Sequence, residues 1–127
     1  MVRARYFGLL LFVSLMGCAS PGLVRSEDAL RATLLKLTPL GSTPEQVLAV
    51  AQRESWKHVT YNPSHGFFVP EGMSVTKGTV VGASGVSAVL GTYPWFPLGS
   101  IWVSAEWGFD AQKRLIEIRV TKSIDSL

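Results

Sequence analysis

The C-terminal third constrains the fold of this chain more than any other part. Along "SIWVSAEWGFD", Ile101, Val103, Ala105, Trp107 and Phe109 alternate with Trp102, Ser104, Glu106 and Gly108. Successive side chains of a strand point to opposite faces, so this run reads as a strand with one buried face. Asp110-Ala111-Gln112-Lys113 supplies a polar turn. Ile116, Ile118 and Val120 then alternate with Glu117, Arg119 and Thr121. The two runs are expected to pair as an antiparallel hairpin. Glu106 and Glu117 are expected on its outer face near Arg119 and Lys122, an ordinary solvated surface. A sheet with one apolar face must bury it against another layer.

That layer is written upstream at helical spacing. Ser26 can cap a helix whose first turn holds Glu27 and Asp28, where the helix dipole favours acids. Leu30, Leu34 and Leu37 then form one apolar stripe, and Pro39 and Gly41 end the element. In "STPEQVLAVAQRESW", Thr43 suits the N-cap, Pro44 the first helical position, and Gln46 completes a capping box. Val47, Leu48, Val50 and Ala51 are its expected buried face. Trp56 to Tyr61 reads as a short strand and Asn62-Pro63-Ser64-His65-Gly66 as a turn. Phe67 to Gly78 carries no clear pattern. Thr79 to Tyr93 reads as strand bent at its glycines. The expected class is α+β: two N-terminal helices packed on a three- to four-stranded antiparallel sheet.

The N-terminus is of another kind. Arg3 and Arg5 precede an apolar run from Tyr6 to Met16, which has the length of a signal-peptide core and is too short to span a membrane. It ends in Leu15-Met16-Gly17-Cys18, with the only cysteine of the chain. This segment resembles the lipobox of bacterial lipoproteins. The resemblance implies that Cys18 receives a diacylglycerol through its thiol, that the signal is cut before it, and that the new amine is acylated. Residues 1–17 are then a signal peptide, 18–25 a tether and 26–127 a single α+β domain. One cysteine excludes a disulfide within the chain, so stability must come from the core. The full chain has 12 basic and 9 acidic side chains. Loss of Arg3 and Arg5 leaves the rest near neutral, so the basic balance is no argument for nucleic acid. Ala19 stands where Asp would be the inner-membrane retention signal of enterobacteria. By that resemblance the expected location is the outer membrane, lipid-anchored and facing the periplasm.

Helix pair first and sheet second, behind a lipobox, resembles the BamE/SmpA/OmlA group of small outer-membrane lipoproteins. Gly41, Thr43, Gln46 and Val47 match that group's "G-M-T-x-x-Q-V" helix start, with Ser42 in place of the methionine. "WVSAEWGFDAQKRLIEIRV" is similar to its final hairpin. "AQRESW" replaces the usual Leu-Gly-x-Pro end of the second helix. The resemblance implies the same fold, and as partner the outer-membrane β-barrel assembly machinery.

Catalytic signals are weak. His58 and His65 lie across a turn without further ligands at a recognisable spacing, whereas zinc takes three or four. Ser64, His65 and Asp110 can be drawn as a triad, yet no nucleophile-elbow motif surrounds Ser64. "KGTVVGASG" lacks the Gly-Lys-Ser/Thr ending of a phosphate loop. No catalytic residue, cofactor or metal is expected. The distinctive feature is "YPWFP", Tyr93 to Pro97, expected as a connecting loop. Large aromatics there are either folded over the sheet edge or form an anchor for a partner protein or membrane surface. Tyr93, Trp95, Phe96 and Trp102 are the candidate binding residues. The expected function is that of a lipid-anchored, non-catalytic envelope protein binding another envelope component, such as an assembly adaptor. The alternative is a periplasmic ligand-binding or inhibitor lipoprotein.

Overall fold

The computed structural model describes residues 20–126; the signal-like segment 1–17, Cys18 and Ala19 lie outside the described residues. A 3-10 turn over Ser20–Val24 leads into helix α1 (Glu27–Leu37) and helix α2 (Pro44–Arg53). Six strands follow: β1 (Lys57–Asn62), β2 (Phe67–Pro70), β3 (Gly78–Val81), β4 (Ser84–Trp95), β5 (Gly99–Phe109) and β6 (Leu115–Ser126). The main sheet is antiparallel with the order β1-β4-β5-β6, and β2 and β3 form a second, two-stranded sheet. The class is α+β, as expected, with the small second sheet as an addition.

Both helices start where their capping residues stand. Ser26 Oγ accepts the Ala29 N–H at 3.1 Å. Thr43 Oγ1 accepts the Gln46 N–H at 3.2 Å, and Gln46 Oε1 accepts the Thr43 N–H at 2.9 Å, closing the capping box. Such caps satisfy N–H groups that the first helical turn leaves unpaired. Leu30 and Leu34 of α1 and Val47 of α2 then join Val103, Ala105 and Trp107 of β5 in one core.

Trp107 is the centre of that core and is fully buried. The Trp56 ring stacks on it with centroids 5.3 Å apart and planes 28° apart. Its indole N–H donates to Thr38 Oγ1 at 3.0 Å, and the Thr38 hydroxyl donates to the Leu34 carbonyl at 2.8 Å. A large apolar body is thus buried without leaving its polar edge unpaired.

Three expectations are corrected. Ile116 is not part of the buried face: the β5–β6 register shifts next to Phe109, which pairs with Leu115 while Gly108 pairs with Glu117. Ile116 falls in the bulge and is exposed, and Leu115 is buried in its place. Lys122 lies on the other face from Glu106. It pairs with Val103, whose side chain is in the core, and its ammonium reaches the Tyr93 hydroxyl and the Arg25 carbonyl. "YPWFP" is not a free loop. Tyr93-Pro94-Trp95 continues β4, pairing with Ile101, Ser100 and Gly99, and only residues 96–98 turn. Pro94 and Pro97 suggest a loop because proline gives no ladder donor, but β4 has no further strand beside it at that end, and such a strand tolerates proline.

The second sheet pairs β2, from the stretch without a sequence pattern, with β3, at the start of the stretch expected as bent strand. It lies against the face away from the helices, where backbones approach closely. A Cβ on Gly108 would sit 2.8 Å from the Val81 carbonyl oxygen and 3.2 Å from the Phe67 ring. Gly82, at φ +95°, turns the chain from β3 into β4 in a conformation other residues rarely adopt. Arg119 joins the sheets by donating to the Phe68 carbonyl at 3.0 Å.

Candidate functional site

Two surfaces carry the residues singled out by sequence, at different places in the fold. The first is the far end of the β4–β5 hairpin. β1 accompanies β4 only as far as Val89, so six more residues of β4 run on to Trp95 without β1. At the end, Trp95 is 42 % and Phe96 93 % exposed, with Leu98 at 55 % beside them and Ile124 of β6 at 53 %. Tyr93 instead packs partly into the core, and the Lys122 ammonium sits 5.2 Å from its ring centroid. Of the two readings of the aromatic run, Tyr93 follows the packed one, whereas Trp95 and Phe96 project. Leu98 and Ile124 were not singled out by sequence. Ile124 reaches the same end only through its pairing with Ile101.

The 3-10 turn Ser20–Val24 meets the same hairpin. Leu23 packs on Gly91, where a Cβ would lie 2.6 Å from a Leu23 methyl carbon. The Arg25 carbonyl accepts from Lys122. The first described residues therefore lie against the hairpin at the level of Gly91 and Val103, four residues short of Trp95.

The second surface is the open face of the main sheet. Trp102 lies there, and its ring stacks on His58 with centroids 6.0 Å apart and planes 29° apart. His58 has φ +51° at the irregularity that interrupts β1–β4 pairing. Trp102 thus does not extend the Trp95 patch; it belongs to the opposite face. Across the sheet, Thr60, Ser87, Glu106 and Arg119 stand side by side. The Thr60 and Ser87 hydroxyls are 2.6 Å apart, and Arg119 Nη1 is 3.6 Å from Glu106 Oε1. Burial pushes the Glu106 carboxyl above the ordinary value of 4.5, with the Arg119 charge pulling partly back.

A shallow groove of ≈ 170 Å³ opens there, lined by Thr60, Asn62, His65, Phe67, Ser87 and Glu106 among others. His65 is fixed within its own turn. Nδ1 must donate to the Gly66 carbonyl, 2.8 Å away, because that oxygen can only accept; Nε2 then accepts from Asn62 Nδ2 at 2.9 Å. Asp110 Oδ1 accepts the Gln112 and Arg114 N–H groups and shapes the β5–β6 turn. His65 and Asp110 are therefore occupied locally, and neither bonds the Ser64 hydroxyl among the described residues; the drawn triad is not assembled. Among the described residues no group of three His, Cys, Asp or Glu side chains is placed to hold a metal. A wider, mainly apolar depression of ≈ 510 Å³ lies between the helices, around Leu37, Leu40, Ala49 and Val50.

The sequence could not show this groove, because it needs the pairing of β1 with β4 and the seating of β2 over Gly108. Comparison with known proteins finds no matching family model, and no match among curated proteins or among solved structures. Among the described residues no helix is long and apolar enough to cross a membrane.

Proposed function

We propose that this chain is a lipid-anchored, non-catalytic protein of the bacterial cell envelope that acts by binding another envelope component. The observation that supports this best is the projecting, uncharged hairpin end at Trp95 and Phe96. Exposed aromatics of this size are costly in water and serve as anchors where a partner or membrane covers them. The lipobox-like Leu15-Met16-Gly17-Cys18 supplies the attachment. Lipidation at Cys18 would confine the domain to a thin layer at the membrane and raise its effective concentration beside a partner. The proposed site is the periplasmic face of the outer membrane. An adaptor role in outer-membrane assembly is the specific form that the BamE-like arrangement implies.

The experiment is crosslinking and capture of the tagged chain from intact cells, read by mass spectrometry, beside Cys18→Ser. Capture of a defined set of envelope components by the wild type alone supports the tethered adaptor. Capture of nothing specific by either removes it.

The open-face groove favours a second reading, a ligand-binding or inhibitor lipoprotein. Two adjacent hydroxyls, an amide and a half-buried carboxyl, on the same sheet face as the Trp102–His58 stack, suit a small polar ligand. Envelope glycan fragments titrated against the protein, with Glu106→Ala as control, test it. Chemical-shift changes confined to Thr60, Ser87 and Glu106 support this reading, and no change at any accessible concentration rejects it.

A further inference from the structure

We infer that the open-face groove beside Glu106 binds a primary ammonium group, borne on a small amine or at the end of a lysine-type peptide side chain. This rests on the ligand-binding reading of the groove and names the chemistry of its occupant. Thr60, Ser87, Glu106 and Arg119 form one rung across β1, β4, β5 and β6, each beside the next in register. Glu106 is the one charged residue among those lining the groove. Its carboxyl is half-buried, yet it accepts no hydrogen bond among the described residues. The neighbouring cation, Arg119, stands 3.6 Å from Oε1 on the β6 side and directs its Nη1 donor to the Phe68 carbonyl at 3.0 Å. A half-buried carboxylate without a donor is a cost to the fold. A ligand with both a positive charge and N–H donors removes that cost, whereas a neutral hydroxyl brings only a donor.

The other polar groups in the groove favour the same occupant. Asn62 Oδ1 already accepts the Ser64 and His65 N–H groups at 2.8 and 3.3 Å. Both His65 ring nitrogens are used within the turn. The Thr60 and Ser87 hydroxyls share one hydrogen bond, and each oxygen keeps room to accept another. The free capacity on the β1 side of Glu106 is therefore mostly that of acceptors. Cross-strand neighbours on one face stand about 5 Å apart, and an ammonium bonded to both Ser87 and Glu106 at about 2.8 Å spans that distance. Room sets the size. The groove holds ≈ 170 Å³, below the roughly 300–1,000 Å³ of a site that encloses a whole small molecule. Glycines close its end: a Cβ on Gly85 would lie 3.1 Å from the Gly66 Cα, where the turn after β1 passes over β4. The groove thus admits the compact end of a ligand and leaves the rest outside.

The test uses the full chain, expressed and processed in cells and held in a non-ionic polyoxyethylene detergent, with backbone amide shifts as the readout. The probes, titrated at neutral pH, are n-butylamine, N-acetyl-lysine N-methylamide, its amine-free analogue N-acetyl-norleucine N-methylamide, and tetramethylammonium, a cation without N–H donors. The amines are expected to move Thr60, Ser87 and Glu106, and the other two probes to leave them in place. Glu106→Gln keeps the shape and should weaken amine binding about tenfold or more, with the shifts of the core residues Val103 and Trp107 retained. Binding of either amine with this pattern supports the inference; preference for n-butylamine assigns the source to a free amine, and preference for the lysine derivative to a peptide. Tetramethylammonium matching n-butylamine, or amine binding undiminished in Glu106→Gln, overturns it. The ligand-binding reading is scored separately, with the neutral glycan fragments. Groove shifts with those fragments and none with the amines overturn the ammonium and leave that reading standing. No shift with either overturns both.

Discussion

Two glutamates on β5 and β6 respond to acid in opposite directions. Burial holds the Glu106 carboxyl above its ordinary value. The folded state therefore binds its proton more tightly than the unfolded chain does, and stability falls as pH rises through the range just above 4.5. For Glu117, burial raises the value, but the Arg31 hydrogen bond, the Ile118 N–H and the Arg31 charge together bring it below 4.5. Its contribution is present above that value and is lost as pH falls through the lowered one. Glu106→Gln is expected to flatten the loss of stability on going from pH 4.5 toward neutrality, and Glu117→Gln to flatten the loss on acidification. Urea titrations across pH check both; matching profiles for wild type and variants would refute the assignment. Thr38 is the other sensitive residue. Thr38→Val keeps the shape but leaves the buried Trp107 N–H without an acceptor. The expected loss is about 1–3 kcal/mol, read from the urea midpoint, with the denaturant slope unchanged.

At the level of elements, Gly108 decides how the two sheets meet. Gly108→Ala places a methyl group against the Val81 carbonyl and the Phe67 ring. Two backbones must separate to admit it, at an expected cost of about 1–3 kcal/mol. Hydrogen exchange should show protection lost in β2 and β3 while β5 keeps its own; uniform loss across both sheets would contradict this. How much of the fold was readable follows the same division. The capping box at Thr43 and the alternation of Val103, Ala105 and Trp107 are local patterns, and both are found as expected. Ile116 escaped because a bulge reverses facing without any mark in composition. Phe67 to Gly78 escaped because its pairing depends on close contact with glycines distant in sequence. For the candidate sites, Trp95 and Phe96 stood out as large aromatics between prolines. Trp102 stood out too, but only strand register separates it from them. The groove at Glu106 joins residues from four strands and the turn after β1, and no local pattern announces such a meeting.

For the whole molecule, charge balance bears on how it would stay on a membrane. Without Arg3 and Arg5 the basic and acidic side chains nearly cancel. Retention by acyl chains is insensitive to salt, whereas retention by a basic patch is screened. Membranes from cells making the full chain are therefore expected to keep it through a high-salt wash. Cys18→Ser should move a large fraction into the soluble pool; release of the wild type by salt alone would point to electrostatic attachment instead. One contact made by α1 reaches further. Arg31 donates to the outward carbonyl of Ile118, in the middle of β6, as well as to Glu117. That carbonyl is an acceptor which a neighbouring copy, or any extended peptide, would need in order to lengthen the sheet. On the other margin, β1 is interrupted at His58. Crowded side by side on a membrane, these molecules would meet a β6 border with one acceptor already taken and a β1 border broken at His58, and both features disfavour the strand addition that seeds fibrils.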